Sequence, residues 1–229
     1  VLSGAGGDEL FGGYPWRYYR AVNNDSFEHY IDKYYLYWQR LVDNRHLQAM
    51  FSPIASDVER VWTRNIFRDV FQHHPDEVYR PEDYINQSLY FEAKTFLHGL
   101  LVVEDKLSMA HSLETRLPFL DNDLVDFAQR CPTRLKLNNL AEVVRINENE
   151  PGDKQAKFFE RTRDGKQILR NVMGRYVPAD IIEAEKQGFS APDASWFKGD
   201  SIEFVRRMLM GRDARIYSYL NADAVHALV

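Results

Sequence analysis

Residues 81–113 read PEDYINQSLYFEAKTFLHGLLVVEDKLSMAHSL, and this stretch decides the fold class. Pro81 suits the first position of a helix, and Glu82 and Asp83 favour the positive end of its dipole. Ile85, Leu89, Ala93, Phe96 and Leu97 then recur every three or four residues, the spacing of one helical face. The pattern predicts a helix from Pro81 that bends or ends at Gly99 and resumes from Leu100 to Leu113. Thr115-Arg116-Leu117-Pro118 cannot extend it, because the residue before a proline is pushed towards extended geometry. An elbow inside the core is predicted there.

The same period recurs on both sides. Asp25-Ser26-Phe27-Glu28 offers a capping box ahead of Phe27, Tyr30, Tyr34, Trp38 and Leu41. Ser56-x-x-Glu59 offers another, ahead of Val58, Trp62, Ile66 and Val70, with Phe67 and Phe71 beside them. Downstream, Asp121 or Asn122 can cap a short helix that Pro132 ends. From Asn138 to Lys166 the chain turns polar, which reads as an exposed insertion over 138–166. Helical period returns over Gln167–Tyr176 and Ile202–Met210, and no internal repeat is found. Long alternating strands are absent, so a mainly α body with at most one or two short strands is expected.

Composition bounds the function. With 229 residues the chain is one large domain or two small ones, and 45% hydrophobic residues suffice for a core. A net charge of −5 gives a nucleic acid no reason to dock. Cys131 is the only cysteine, which removes internal disulfides and thiolate-only zinc sites and fits a cytoplasmic location. The longest apolar runs, such as Leu100 to Val103, are far shorter than the roughly 20 residues of a membrane span. Val1-Leu2-Ser3-Gly4 reads as the end of a buried strand entering a glycine loop, the mark of a piece of a longer protein.

Three segments could carry chemistry. Residues 3–14, SGAGGDELFGGY, bring backbone N–H groups within reach of a phosphate, and Asp8 or Glu9 could meet it through Mg2+. A plain strand-to-helix turn is the competing reading. Residues 104–121, EDKLSMAHSLETRLPFLD, set charges in an apolar region, where Glu114 and Arg116 read as paired structural ions and His111 as a packed or surface histidine. In residues 185–192, EKQGFSAP, Lys186 is either an ordinary surface charge or a cation that offsets charge developing in a transition state. The aromatic residues Tyr34, Tyr35, Trp38, Trp62 and Phe96 fall on helical stripes and read as core.

Taken in order, these three segments, with Trp196 after the third and ILRNVMGRYVP from Ile168 between them, resemble the synthetase domain of the glutamine-hydrolysing asparagine synthetase family. The likeness runs from Val1 to about Leu209. It implies the helical C-terminal portion of an adenine-nucleotide alpha-hydrolase-like, Rossmann-like α/β domain. Its S-G-G-x-D-S pyrophosphate loop would lie upstream of Val1. Such an enzyme converts aspartate to asparagine through β-aspartyl-AMP, using ATP, Mg2+ and ammonia from an N-terminal glutaminase domain; a homodimer is compatible with it. The piece alone is expected to be inactive. By resemblance Ser3, Gly4 and Gly6 belong to the nucleotide-binding loop, Asp8 holds Mg2+, and Lys186 steadies charge on the reacting phosphate. Position 5 departs from the pattern, because relatives carry glutamate where this chain has Ala5. Either Glu9 or Glu104 substitutes, or the acceptor carboxylate differs, or the parent is a nucleotide-binding relative without catalysis.

Overall fold

The computed structural model describes residues 1–39, 42–71, 78–143, 164–184 and 200–228. Two units divide the chain, Val1–Tyr35 with Phe67–Glu185 and Leu36–Ile66 with Lys186–Val229. Among the described residues the body is helical as expected, and the only β pairing is an isolated parallel bridge between Leu2 and Arg116.

In the first unit the predicted helix from Pro81 forms, with Asp83 in its first turn accepting the Arg80 N–H at 3.0 Å. Its irregularity is not at Gly99. Pro81–Phe91 is α-helix, Glu92–Phe96 is a π turn, and Leu97–Ala110 is α-helix again. The widened turn lets the Leu97 N–H reach back to the Glu92 carbonyl, while the Thr95 hydroxyl donates to the Phe91 carbonyl at 2.7 Å. Gly99 stands in regular helix with open space where its Cβ would be, so it is tolerated there and bends nothing.

The π turn aims Glu92 into the unit, where it is fully buried. Tyr34 donates to its carboxylate at 3.0 Å, and the Arg17 guanidinium stands 3.4 Å away. Arg17 in turn lies over the rings of Tyr14 and Phe96, at 3.9 and 4.4 Å from their centroids. Burial pushes the Glu92 carboxyl up to about 7, against the opposing pull of Arg17 and of the Tyr34 hydrogen bond.

Tyr34 belongs to the Phe27–Trp38 helix, which Ser26 caps: its Oγ accepts the His29 N–H at 3.2 Å. The Asp25 capping box is therefore displaced by one residue. The aromatic faces of this helix build the core, with Tyr30 and Tyr34 stacked at 5.6 Å and Phe67 packed on Phe91 at 4.5 Å. The expected helix after Ser56 is instead two, Ala55–Val58 and Thr63–Asp69. The buried face differs too: Trp62 and Ile66 are exposed, while the neighbouring Phe67 and Phe71 are buried. The aromatic cluster around Tyr34 and Phe91 offers those two phenyl rings more contact than the i, i+4 row could gain.

The elbow also differs from expectation. It lies at the surface of this chain, and Glu114 and Arg116 are exposed and pair with each other at 2.5 Å. Leu97 is the buried residue of Leu97–Ala110, whereas Val103, Leu107 and Met109 are exposed. The Asn122–Arg130 helix forms as predicted, capped by Asp121 through the N–H groups of Asp123 and Leu124. Of the polar stretch 138–166, residues 144–163 lie outside the described residues. Its described ends are only partly exposed: Asn138 and Ala141 are exposed, but Leu140 joins the core with Tyr18, Ile85 and Leu137, and Asp164 is buried.

The second unit includes the helices Asn44–Met50, Asp200–Leu209 and Ala222–His226. Asn221 ties the first to the last, its N–H donating to the Met50 carbonyl at 2.7 Å and its side chain accepting the Ala224 N–H at 3.0 Å. His226 meets the Leu209 carbonyl at 2.8 Å.

Candidate active site

The glycine loop leaves the Leu2–Arg116 bridge, where Ser3 N–H donates to the Arg116 carbonyl at 2.9 Å and Arg116 N–H returns to Val1 at 2.8 Å. Ser3 Oγ then accepts the Ala5 N–H at 3.2 Å and so shapes the turn. The two early glycines have different work. Gly4 is exposed and has nothing within 4 Å of a built Cβ, so it is open to a ligand. Gly6 is buried, adopts φ +90, and lies so close to Leu120 that a Cβ would stand 2.5 Å from its Cδ2. It turns the chain into the short Gly7–Phe11 helix.

Asp8 and Glu9 lie in the first turn of that helix and have different partners. Glu9 is buried and accepts the Tyr14 hydroxyl at 2.8 Å. Tyr14 thus occupies one of its two oxygens. Asp8 is half-buried and folds back over Gly13, whose absent side chain leaves the room: a Cβ there would be 1.9 Å from Asp8 Oδ1. The helix ends at Gly12, which adopts φ 74, and both Gly12 and Gly13 donate to the Asp8 carbonyl.

Lys166 Nζ meets Asp8 Oδ1 at 2.9 Å, as a charge contact without hydrogen-bond alignment. The lysine is fixed from behind. Its N–H donates to the Phe11 carbonyl at 3.1 Å, and its own φ of 54 starts the Gln167–Met173 helix. Gly165 before it adopts φ 108, and a Cβ there would come within 2.8 Å of the Gly12 carbonyl. Asp164 anchors the turn, accepting the N–H groups of Asn138, Asn139 and Gly165 at 2.8 to 3.0 Å as well as the Tyr19 hydroxyl. Burial beside that carboxylate holds the Tyr19 phenol well above its usual range.

Of the residues singled out in the sequence, Ser3, Gly4 and Gly6 lie in the loop and Asp8 in the first turn of the helix that follows it. Lys186 lies outside the described residues. Lys166 was missed, because it stood at the edge of a polar stretch; the Asp164-Gly165-Lys166 turn directly before an apolar run was the available signal. No group of three potential metal-ligating side chains occurs among the described residues. That donor set fits Mg2+, which is commonly held by one or two carboxylates together with substrate phosphates, and does not fit an all-protein metal cage. No helix among the described residues is long and apolar enough to cross a membrane.

Comparison with known proteins matches the family model described as asparagine synthase over residues 1–229. Asparagine synthetase [glutamine-hydrolyzing] 1 of Bacillus subtilis is 26% identical over 253 residues, covering 100% of this chain and 36% of that protein. Asparagine synthetase [glutamine-hydrolyzing] 3 of the same organism is 22% identical over 234 residues, covering 100% and 32%. Amidase chyE of Penicillium rubens is 22% identical over 202 residues, covering 83% of this chain and 28% of that protein. The chain therefore spans about a third of the length of these curated relatives. No solved structure matches it.

Proposed function

Because this chain belongs to the asparagine synthase family, we propose that it supplies part of an ATP-dependent synthetase that activates a carboxylate and transfers it to ammonia. The observation that supports this most is Asp8 held beside Lys166 on a glycine loop open at Gly4. One carboxylate and one ammonium there suit a metal-bound polyphosphate, whose negative charge the lysine offsets and whose cation the acid holds.

Aspartate is the proposed acceptor. Its side-chain carboxylate oxygen attacks the α-phosphorus of ATP, pyrophosphate leaves, and ammonia then displaces AMP from β-aspartyl-AMP to give asparagine. In this reading Ser3 and Gly4 shape the backbone that receives phosphate oxygens. Asp8 holds Mg2+, which when bound neutralises charge on the pyrophosphate. Lys166 balances the negative charge that remains. The ammonia would come from glutamine through an N-terminal glutaminase domain. A Rossmann-like half carrying the pyrophosphate loop would cover Val103, Leu107 and Met109, the apolar residues that Leu97–Ala110 leaves exposed.

A second reading changes the acceptor. Ala5 favours it, since it stands where relatives carry a glutamate, and the likeness to amidase chyE adds support. Aspartate-dependent exchange of labelled pyrophosphate into ATP by the full-length natural chain separates the two. Exchange that Asp8→Asn lowers, and that the 229-residue chain alone does not show, is the expected result. Exchange with another carboxylate only would establish the second reading, and nucleotide binding with no exchange at all would leave a relative without catalysis.

A further inference from the structure

Two buried carboxylates and one guanidinium share the interior beside the glycine loop. Glu9 in the Gly7–Phe11 helix is 2% exposed, and Glu92 in the π turn is 0% exposed. Arg17 joins them: its Nη1 stands 3.4 Å from Glu92 Oε2, and its guanidinium lies over the ring of Tyr14, whose hydroxyl donates to Glu9 at 2.8 Å. The π turn supplies a second ring to this seat, Phe96. The reaction proposed above uses none of Glu92, Arg17 and Tyr14.

One guanidinium cannot neutralise two carboxylates, and an excess buried charge is costly. Burial accordingly pushes the Glu92 carboxyl up to about 7, with Glu9 adding to the rise and Arg17 and the Tyr34 hydrogen bond opposing it. Facing Glu92 are Arg17 and Tyr18 from the Pro15–Tyr18 helix, Tyr34 and Tyr30 from the Phe27–Trp38 helix, and Glu9. Tyr18 and Tyr34 donate to its two oxygens at 3.4 and 3.0 Å, and Tyr30 is bonded to Ser88. Burial raises the phenols of Tyr18 and Tyr30 above their ordinary range, so both stay neutral while Glu92 titrates.

We infer that Glu92 is a positioning residue for the glycine loop: ionised, it fixes Arg17 over Tyr14 and so keeps Glu9, and Asp8 next to it, in the arrangement that receives a metal-bound polyphosphate. This rests on the reading of Asp8 given above. When Glu92 takes up a proton, Arg17 retains only Glu9 as a charged carboxylate among these groups, and the seat of Tyr14 loosens. The hold of the loop on magnesium nucleotide therefore strengthens as the pH rises through about 7.

The test uses the full-length natural chain. Without nucleotide, the amides of Leu10 and Gly13 bond to the Gly6 and Asp8 carbonyls and report on the loop. In Glu92→Gln their hydrogen exchange should be at least about tenfold faster than in wild type at about pH 8, and equal to it at about pH 6. Global stability moves the other way at about pH 8, because the substitution removes a buried charge. The Val125 amide, bonded to Asp121 in the Asn122–Arg130 helix, is the control and should exchange no faster. Tyr14→Phe cuts the link to Glu9 and leaves Glu92 in place; it should erase the pH difference, and it serves if Glu92→Gln does not fold. With MgATP, the dissociation constant should rise about tenfold in Glu92→Gln at about pH 8 and match wild type at about pH 6, a comparison that cancels titration of the nucleotide itself. Equal exchange of Leu10 and Gly13 in wild type and Glu92→Gln at both pH values, a pH difference that persists in Tyr14→Phe, or an unchanged MgATP dissociation constant would overturn the assignment. The expected exchange pattern in a chain that binds no MgATP would support the link from Glu92 to the loop and overturn the functional reading instead.

Discussion

Gly13 leaves the space that the Asp8 carboxylate fills: a Cβ at residue 13 would stand 1.9 Å from Asp8 Oδ1 and 2.6 Å from its Cβ. The near atom is not only the tip of a movable side chain, so the whole carboxylate must turn away from Lys166. Gly13→Ala is therefore expected to lower the apparent Mg2+ affinity or activity on the order of 10–100-fold, as displaced supporting groups do at metal sites. A Mg2+ titration of the pyrophosphate exchange checks it; an unchanged half-saturation point would mean that the position of Asp8 is immaterial.

Lys166 is fixed at its backbone by Phe11 and Gly165, so its charge is available at a defined place. Lys166→Met keeps the length of the side chain and removes the charge. It should raise the KM for ATP roughly tenfold or more, and the remaining affinity should respond less steeply to salt. Lys166→Arg should recover part of the loss. Steady-state kinetics at two salt concentrations provide the measurement, and equal salt slopes in wild type and Lys166→Met would refute the role.

Glu92 gives the fold a pH dependence. Its carboxyl is raised from 4.5 to about 7, so the native state binds a proton more tightly than the unfolded state does. Its contribution to stability is fully present below about 4.5 and is lost as the pH rises through about 7. The amplitude is on the order of 3 kcal/mol. Glu92→Gln should flatten the urea midpoint across that window. A slope unchanged by the substitution would show that the carboxyl is ionised in the native state throughout.

What the sequence revealed follows the range of the forces involved. Local signals gave the start at Pro81, the Asp121 cap and the glycine loop, because each is decided by neighbours in the chain. The π turn at Glu92–Phe96 was not visible, since it depends on a carboxylate reaching Tyr34 and Arg17, residues some 60 to 75 positions away in sequence. Trp62 and Phe67 show the same limit: a stripe identifies which residues share a face, but the partner surface decides which face is buried. Lys166 was hidden for another reason. Its position is set by Asp164 gathering the N–H groups of Asn138 and Asn139, a closure between two ends of a polar stretch that composition alone reads as exposed.

Gly4 and Gly6 provide the cleanest separation of function from folding. Gly6→Ala places a side chain at φ +90 and 2.5 Å from Leu120, and should destabilise the protein by about 1–3 kcal/mol. Gly4→Ala meets no atom within 4 Å, so stability should change by no more than about 0.5 kcal/mol. Yet if the loop backbone receives phosphate, the added methyl at residue 4 stands where the ligand approaches, and ATP binding should fall on the order of tenfold or more. Urea unfolding and nucleotide titration of the two variants in the full-length chain measure both quantities. A Gly4→Ala protein with wild-type stability and wild-type ATP affinity would leave the loop as a turn between a bridge and a helix, and would move the nucleotide site elsewhere.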